Sequence, residues 1–322
     1  MTYQLGILNQ SPILEGASVT ESLHQTVLLA KLADDLGFSR YWVAEHHNTL
    51  ELAGSSPEIL ATHILANTSR IRVGSGGVML QHYEPYKVAE NFNVLAALHG
   101  NRVDVGVGNG PGGLINERPA ISSFDEKLGA LQKYIEKDTK EQQPLKATPL
   151  SAYEPQLHLP GASRNSAHLA TKYSLPYAFA QFFNETEDEL REASAIYQRG
   201  EQPNKHFIVA VSVVVTDNPA EKEHYSKPTT FVKATFQNGK IITFKSEEQA
   251  RAFSQPDNKI VTINKQTLVP IVGTVEEVEH RLDELKEQYA VNEFLIHLAS
   301  LKRDVRTRTI TELSKLIAKI KV

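Results

Sequence analysis

The stretch Tyr41-Trp42-Val43-Ala44-Glu45-His46-His47-Asn48 joins a short apolar segment to one carboxylate and two imidazoles. The apolar part follows Leu36-Gly37-Phe38, whose glycine is typical of a helix end, and its Tyr, Trp and Val residues favour a buried strand. If this strand is parallel to its neighbours and flanked by helices, its carboxyl end lies where α/β proteins bind ligands. The sequence therefore predicts an α/β fold with Glu45, His46 and His47 at its active face.

Strand and helix patterns alternate along the rest of the chain. The predicted strands cover residues 3–8, 40–44, 71–75, 103–107, 156–159, 175–180, 207–215 and 293–298. Segment 225–269 interrupts the alternation with prolines, an Asn-Gly pair and a short helix near 247–253, so we interpret it as an insertion between strands seven and eight. Eight strand–helix units predict a single-domain (β/α)8 TIM barrel that spans residues 1–322.

Composition excludes several classes of partner. The formal net charge of −4, with scattered Lys and Arg, predicts no binding of nucleic acid or anionic lipid. The chain lacks a long apolar run and a signal-like start, so we expect no membrane segment and a cytoplasmic location. Without cysteine, disulfides and thiolate catalysis are excluded, and redox chemistry needs a bound cofactor. Arg70, Arg72 and Arg102 begin or precede strands, and we expect them to be solvated at the barrel's amino-terminal face.

The histidine pair is compatible with more than one role. Adjacent side chains on a strand point to opposite faces, so at most one of His46 and His47 points into a barrel mouth, which disfavours a metal chelate. His82, His99 and His158 are not linked to the pair by any ligand spacing, and we predict no metal site. From the residues alone, a structural hydrogen-bonded histidine remains an alternative to a catalytic one.

Glycines mark three further segments. In 74–78, Gly-Ser-Gly-Gly-Val interrupts an apolar run and indicates a bulge or a close backbone approach to a ligand. The glycine-rich loop 108–122 lacks P-loop and dinucleotide spacings, so a wall or lid of the site and a mobile surface loop are both possible. Segment 161–166 lies between a strand and a helix, where phosphate binding and simple N-capping are equally compatible.

Six stretches of the chain form a recognisable set. They are Ser11-Pro12-Ile13 with Glu15-Gly16, Arg40 to Asn48, Ile71 to Leu80, Val88 to Phe92, Leu175 to Ala180 and Val272 to Val278. Together they resemble the bacterial luciferase-like flavin monooxygenases, in the branch called luciferase family oxidoreductase group 1 or MsnO8-like. The resemblance covers nearly the whole chain. It implies a (β/α)8 barrel with an insertion after the seventh strand, which binds reduced FMN at its carboxyl-terminal mouth and oxidises a small organic substrate with dioxygen. Some similar proteins use a deazaflavin instead.

The resemblance also implies roles for individual residues. His46 matches the family's catalytic histidine, and Glu45 and His47 would line or brace the site. The segment from Ser75 to Val78 matches the bulge beneath the flavin ring, often with a non-prolyl cis peptide, and Ser163 and Ser166 match phosphate-binding positions. The cofactor-binding residues implied in this way are Ser75, Gly76, Gly77, Val78, Gly108, Asn109, Gly161, Ser163, Arg164 and Ser166.

One position departs from the family pattern. Where this branch usually has Gly-Arg-Ala-Pro-Gly, the chain has Gly108-Asn109-Gly110-Pro111-Gly112, so a phosphate-pairing arginine is missing. Losing such a contact costs on the order of 1.5–3 kcal/mol of binding. A non-catalytic flavin-binding protein and a deazaflavin-dependent oxidoreductase therefore stay open beside the monooxygenase. The chain has no nicotinamide-binding fingerprint, so the expected partners are a separate flavin reductase, a small-molecule substrate and a second copy in a homodimer.

Overall fold

The structure is a computed structural model that describes residues 3–110, 123–184, 186–203, 205–237, 241–244, 246–254, 256 and 259–320. Its strands are β1 (Gln4–Asn9), β2 (Arg40–Val43), β3 (Arg72–Met79), β4 (Val103–Gly108), β5 (Gln156–Gly161), β6 (Tyr177–Ala180), β7 (Phe207–Val215), β8 (Thr229–Phe236), β9 (Ile241–Phe244), β10 (Ile260–Leu268), β11 (Ile271–Gly273) and β12 (Glu293–Leu298). Its helices are α1 (Val19–Leu36), α2 (Pro57–Ala66), α3 (Pro85–His99), α4 (Phe124–Ile135), α5 (Lys137–Lys140), α6 (Arg164–Lys172), α7 (Asp188–Arg199), α8 (Pro219–Tyr225), α9 (Glu247–Phe253), α10 (Val275–Tyr289) and α11 (Arg303–Ile320).

The strands β1 to β7 and β12 form a closed parallel barrel. β1 pairs with β2 and β12, and β7 pairs with β6 and β12, so the ring has no open edge. Closure pairs every barrel strand on both sides, which protects the backbone donors and acceptors that an edge would expose. The (β/α)8 barrel predicted from the alternating pattern is confirmed.

The insertion between the seventh and eighth barrel strands is also confirmed. It forms a small antiparallel sheet in the order β10-β8-β9, and α9 packs on one face of it. Side chains from the sheet and the helix form a separate apolar cluster that contains Val232, Ala234, Phe236, Ile242 and Ala250. The insertion therefore has a core of its own beside the barrel.

The turn from α1 into β2 sets the position of the histidine motif. Ser18 and Glu21 form a reciprocal capping box at the start of α1, and Gly37 ends the helix with φ +83, a conformation that favours glycine. The chain then enters β2, whose four residues are all buried. Because β2 runs parallel to β1 and β3, it delivers the residues after Val43 to the carboxyl-terminal mouth.

Two local predictions were wrong. The sequence of residues 124–140 predicts one continuous helix, but the extended backbone of Glu136 (ψ 136) separates α4 from α5. The predicted solvation of the arginines holds for Arg70, whose side chain is 68% exposed, but not for the other two. Arg72 pairs with the buried Asp104, and Arg102 donates to the carbonyls of Leu65 and Ile71. Strand-start arginines can thus turn inward, because barrel closure brings acceptors to them.

A buried ionic network closes the amino-terminal end of the barrel interior. Arg40 Nε lies 2.8 Å from Glu293 Oε1, and its Nη1 lies 2.8 Å from Asp104 Oδ2. The indole of Trp42 donates to the same Asp104 oxygen at 2.9 Å. Arg40 holds the pKa of Glu293 down at about 2 despite burial, and it likewise lowers that of Asp104. Three strands are therefore joined through one guanidinium.

Above this network the barrel is filled by apolar side chains. Leu8, Trp42, Ile208 and Leu295 belong to one buried interior cluster, together with Ala178, Ala210 and Phe182. A larger cluster fills the space between the strands and the surrounding helices. The interior is therefore packed up to the mouth, and a ligand has to bind at the carboxyl ends of the strands.

Candidate active site

Glu45 joins the end of β2 to the end of β3. Its side chain is buried and accepts a hydrogen bond from the Tyr83 hydroxyl at 2.7 Å and from the Met79 N–H at 3.0 Å. His47 Nε2 lies 2.6 Å from Glu45 Oε1. A carboxylate with three donors around it is well satisfied. Glu45 therefore fixes His47 and the backbone immediately after Val78.

His46 lies between these two residues in sequence, and its backbone N–H donates to Gly54 O at 2.7 Å. Burial, with a smaller contribution from His47, lowers the pKa of His46 to about 4. β1 pairs with β2 on one side and with β12 on the other, so His46, which follows β2, and His297, near the end of β12, lie in the same part of the mouth. At neutral pH His46 is an uncharged imidazole that can accept a proton.

His297, at the end of β12, is a site residue that the sequence reasoning missed. Its Nδ1 lies 2.7 Å from Ser212 Oγ and its Nε2 lies 3.2 Å from Gln10 Oε1. The ring of Phe182 stacks on it with a centroid distance of 4.8 Å. Burial and the nearby charges of Arg306 and His46 lower the pKa of His297 to about 3.

A sequence signal for His297 did exist. Glu293, Leu295 and His297 occupy alternate positions of β12, and Glu293 and Leu295 belong to the interior network and the interior cluster. Side chains two residues apart on a strand share a face. The period of two therefore directs His297 inward, at the mouth.

The predicted bulge lies at the mouth end of β3. The pairing of β3 with β4 shifts between Gly76 and Val78, and the Gly76–Gly77 peptide bond is cis. A Cβ on Gly77 would lie 2.7 Å from Gly106 O, and one on Gly76 would lie 2.9 Å from Leu8 Cδ1 and from the Trp42 ring. Ser75 is fully buried and donates to Gly106 O at 2.9 Å. The bulge is thus a strip in which only backbone fits between the neighbouring groups.

The next strand around the barrel carries Gly108 and Asn109. Asn109 is exposed, and its Oδ1 accepts a hydrogen bond from Gln81 Nε2. A Cβ on Gly108 would lie 3.7 Å from Met79 Cε, its nearest neighbour among the described residues and an ordinary van der Waals contact. The remainder of the predicted wall or lid, residues 111–122, lies outside the described residues.

The third strand in this series leads into α6. The hydroxyl of Ser166 donates to Ser163 O at 2.6 Å, and Tyr177 donates to the same carbonyl at 3.1 Å. A Cβ on Gly161 would lie 2.3 Å from Ser166, so the close approach requires glycine. Arg164 is exposed and pairs with Glu192 at 2.9 Å. Its guanidinium is therefore engaged by α7 in this arrangement, while the hydroxyl groups lie at the helix start.

These elements divide the mouth into two halves. The ends of β3, β4 and β5 are consecutive neighbours that carry the glycine strip and the start of α6. The ends of β7, β12 and β1 carry Ser212, His297 and Gln10 on the opposite half.

Across residues 3–110, 123–184 and the other described ranges, no three side chains form a group that could hold a metal ion. The same part of the chain has no helix long and apolar enough to cross a bilayer.

Comparison with known proteins supplies the family. A family profile described as luciferase-like monooxygenase matches residues 3–292. The chain belongs to the luciferase-like monooxygenase family. It is 38% identical over 308 residues to the N-acetyl-S-alkylcysteine monooxygenase of Bacillus subtilis (strain 168), covering 91% of this chain and 92% of that protein. It is 31% identical over 249 residues to a luciferase-like monooxygenase of Escherichia coli (strain K12), covering 72% and 73% of the two chains.

Solved structures agree with this assignment. The crystal structure of apo-MsnO8 superposes with a TM-score of 0.76 at 28% identity, over 98% of each chain. The oxygenating constituent of 3,6-diketocamphane monooxygenase from Pseudomonas putida, solved with FMN, gives a TM-score of 0.70 at 17% identity over 99% of each chain, and shows the shared fold. This luciferase-like monooxygenase is therefore an oxidoreductase on a TIM barrel, as the sequence motifs implied.

The first prediction concerns the Glu45 cluster of this monooxygenase. Tyr83→Phe removes a hydrogen bond to a buried carboxylate, and we expect it to lower the free energy of unfolding by about 1.5–3 kcal/mol. Tyr86→Phe is the matched control, because the Tyr86 hydroxyl lies at the surface, where it contacts the Lys146 carbonyl at 3.3 Å and the solvent-accessible carboxylate of Glu90 rather than a buried one. Urea denaturation of both variants measures the difference. Equal losses would show that Tyr83 does not support Glu45.

The second prediction concerns acid stability. The folded chain keeps His158 neutral to about pH 4 and His297 to about pH 3, whereas an unfolded chain protonates its histidines near pH 6.5. The unfolded state therefore binds more protons below pH 6.5, and stability falls as the pH falls through that value. We expect a loss on the order of 1–2 kcal/mol per buried imidazole between pH 7 and pH 5. Denaturation of His297→Gln should show a smaller loss, and an equal loss would contradict this account.

Proposed function

We propose that this enzyme uses reduced FMN and dioxygen to oxidise a small organic substrate, and that a separate flavin reductase supplies the reduced flavin. The observation that carries the proposal is the glycine strip at the end of β3, held through Met79 by Glu45, beside His46. Family membership supports the reaction class. The geometry supports placing the flavin at the ends of β3, β4 and β5.

The residues present fit a flavin. A planar ring needs a surface without projecting side chains, and Gly76 and Gly77 present only backbone at the mouth end of β3, where the space that a Cβ would take is already filled by protein atoms. Two strands further round, the start of α6 offers backbone N–H groups and the Ser163 and Ser166 positions to a phosphate. When bound, reduced FMN supplies the electrons that activate dioxygen.

The chain's own residues would serve this chemistry in distinct ways. His46, neutral at pH 7, would accept or return a proton at its imidazole. Glu45 would position both His47 and the strip, since it binds the Met79 N–H. The packed interior beneath the mouth excludes water from below. These assignments give each residue of the histidine motif a different task.

The substrate class is proposed from the relative of known activity. The Bacillus subtilis relative is named for N-acetyl-S-alkylcysteines, which are small thioethers with a carboxylate. We therefore place N-acetyl-S-alkylcysteines first among the substrates to be tried. Loops and the insertion around a barrel mouth vary freely on one fold, so the panel should also include other small thioethers and ketones.

A reductase-coupled assay tests the function. The purified chain is supplied with FMN, NADH, a flavin reductase and each candidate substrate, and oxygenated product is measured by mass spectrometry against free flavin alone. Product above that background supports the proposal. Tight FMN binding without product from any substrate would favour the non-catalytic flavin-binding alternative. Turnover of a substrate with a reduced deazaflavin, but not with reduced FMN, would favour the deazaflavin-dependent oxidoreductase. Light scattering of the same sample tests the predicted homodimer.

A further inference from the structure

The insertion places one lysine, Lys233, against the rim of the barrel mouth. Side chains alternate along β8, so Val232 and Ala234 pack in the insertion's own core while Lys233 lies on the opposite face. On that face Lys233 Nζ donates to Asn184 Oδ1 at 3.1 Å. Asn184 follows the short 3₁₀ turn at the end of β6, and the amine is partly buried there.

Among the described residues, no anionic partner balances the charge of Lys233. Its hydrogen-bond acceptor is a neutral amide, and no carboxylate of the described ranges lies within ion-pair distance of Nζ. Glu189 attracts it from further away, yet burial dominates and lowers the pKa of the lysine. A partly desolvated cation is costly when its hydrogen-bond acceptor is neutral, as Asn184 is here, and an anionic ligand would recover that cost.

The neighbouring half of the mouth has the same sign of charge. Arg306 is buried, and its guanidinium donates to the carbonyls of Leu298 and Ser300 and to the amide oxygen of Asn9, none of which is charged. Its charge lowers the pKa of His297. Arg306 therefore adds a positive charge on the β12 and β1 side of the mouth that these three acceptors do not neutralise, while Glu45 is occupied on the β2 and β3 side.

An aromatic surface connects this region to Lys233. Phe182 stacks on His297, and the Phe182 and Phe183 rings lie 4.2 Å apart between centroids. Both phenylalanines belong to the turn that ends at Asn184, the acceptor for Lys233. An apolar surface thus adjoins a cation, which suits a ligand with an apolar body and an anionic group.

Resting on the proposed function, we propose that Lys233 binds an anionic oxygen group of the ligand at the rim of the mouth, with Phe182 and Phe183 packing beside it. Two groups carry that chemistry: a carboxylate of the substrate, or the phosphate of FMN. The proposed site for the FMN phosphate, at the start of α6, is in the same neighbourhood as Lys233. Glu189 attracts the charge of Lys233 and also lies 3.8 Å from Arg164 at the start of α6. In that case Lys233 would replace the charge that Asn109 does not provide.

Binding measurements on the full chain test this without any turnover. Lys233→Met is compared with wild type, with Lys233→Arg, and with Lys265→Met, a control that removes an exposed lysine from β10 of the same sheet. Calorimetric titrations use two matched pairs of probes: FMN against riboflavin, and N-acetyl-S-ethylcysteine against its neutral carboxamide. Circular dichroism confirms that each variant is folded.

We expect Lys233→Met to lose about tenfold in affinity for one anionic member of these pairs and none for its neutral counterpart. Loss confined to FMN assigns the lysine to the phosphate, and loss confined to the acid assigns it to the substrate carboxylate. Lys233→Arg should retain most of the affinity. Each probe pair gives a ratio of the affinity for the anionic member to the affinity for the neutral member. If neither ratio changes more in Lys233→Met than in Lys265→Met, the proposal is overturned. Absence of product from the wild-type chain would instead contradict the proposed function and leave these ratios valid.

Discussion

His46→Ala is expected to lower kcat of the reductase-coupled oxidation by about 10²- to 10⁴-fold, the usual contribution of a positioned acid–base group. Affinity for FMN should be unchanged, because the strip that would hold the ring is fixed by Glu45 rather than by His46. Product formation and flavin titration measure the two effects separately. His63→Ala, an exposed histidine on α2, is the control and should match the wild type.

The pH profile gives a second view of the same residue. Because burial lowers the pKa of His46 to about 4, a proton-accepting imidazole is already neutral well below pH 6. The kcat/KM profile should therefore rise through about pH 4 and be flat from pH 6 to pH 8, provided the protein is folded at each pH. A mutant as active as the wild type, or an acid limb near pH 6.5 that persists in His46→Ala, would remove His46 from the mechanism.

Arg40→Met is expected to cost about 3–5 kcal/mol of unfolding free energy. The substitution leaves Asp104 and Glu293 buried without the guanidinium that joins them, and the pKa of each should rise towards or above its ordinary value. A buried ion pair is not by itself a large source of stability, but removing its cation is costly. Without Arg40, Asp104 keeps Arg72 and Glu293 keeps His206, and no group in the described part of the chain replaces the guanidinium that contacts both carboxylates. Guanidinium chloride denaturation at pH 7 measures the loss.

Two variants control for this effect. Arg191→Met removes an exposed arginine that pairs with Asp188 on the surface of α7, and should change stability by no more than about 0.5 kcal/mol. Arg40→Lys keeps a charge but not the fork that contacts both carboxylates, and should fall between the wild type and Arg40→Met. A loss in Arg40→Met no larger than in Arg191→Met would mean that water or relaxation compensates the network.

The sequence predicted those features that depend on local patterns. The spacing of apolar residues and the positions of glycine and proline located the barrel strands and the insertion. These signals are local, because a few neighbouring residues determine which face of a strand is buried and where a helix ends. The motif Glu45-His46-His47 was placed at the mouth for the same reason, since a parallel strand must end there. Arg72 shows the limit, because nothing near it in sequence reveals Asp104, which comes within reach of its side chain only after β3 and β4 pair.

Long-range partners were decided by closure of the barrel. Tyr83 reaches Glu45 across 38 residues, and His297 lies near His46 only because β12 returns to pair with β1. In the sequence, nothing distinguishes Lys233 from other strand lysines. Its contact with Asn184 forms only because the fold brings β8 next to the turn after β6. The sequence by itself determined a TIM barrel with a histidine motif at its mouth, since period and chain direction are local. Only the tertiary structure decided which charges face one another there, because ring closure and strand register bring together residues that share no local pattern.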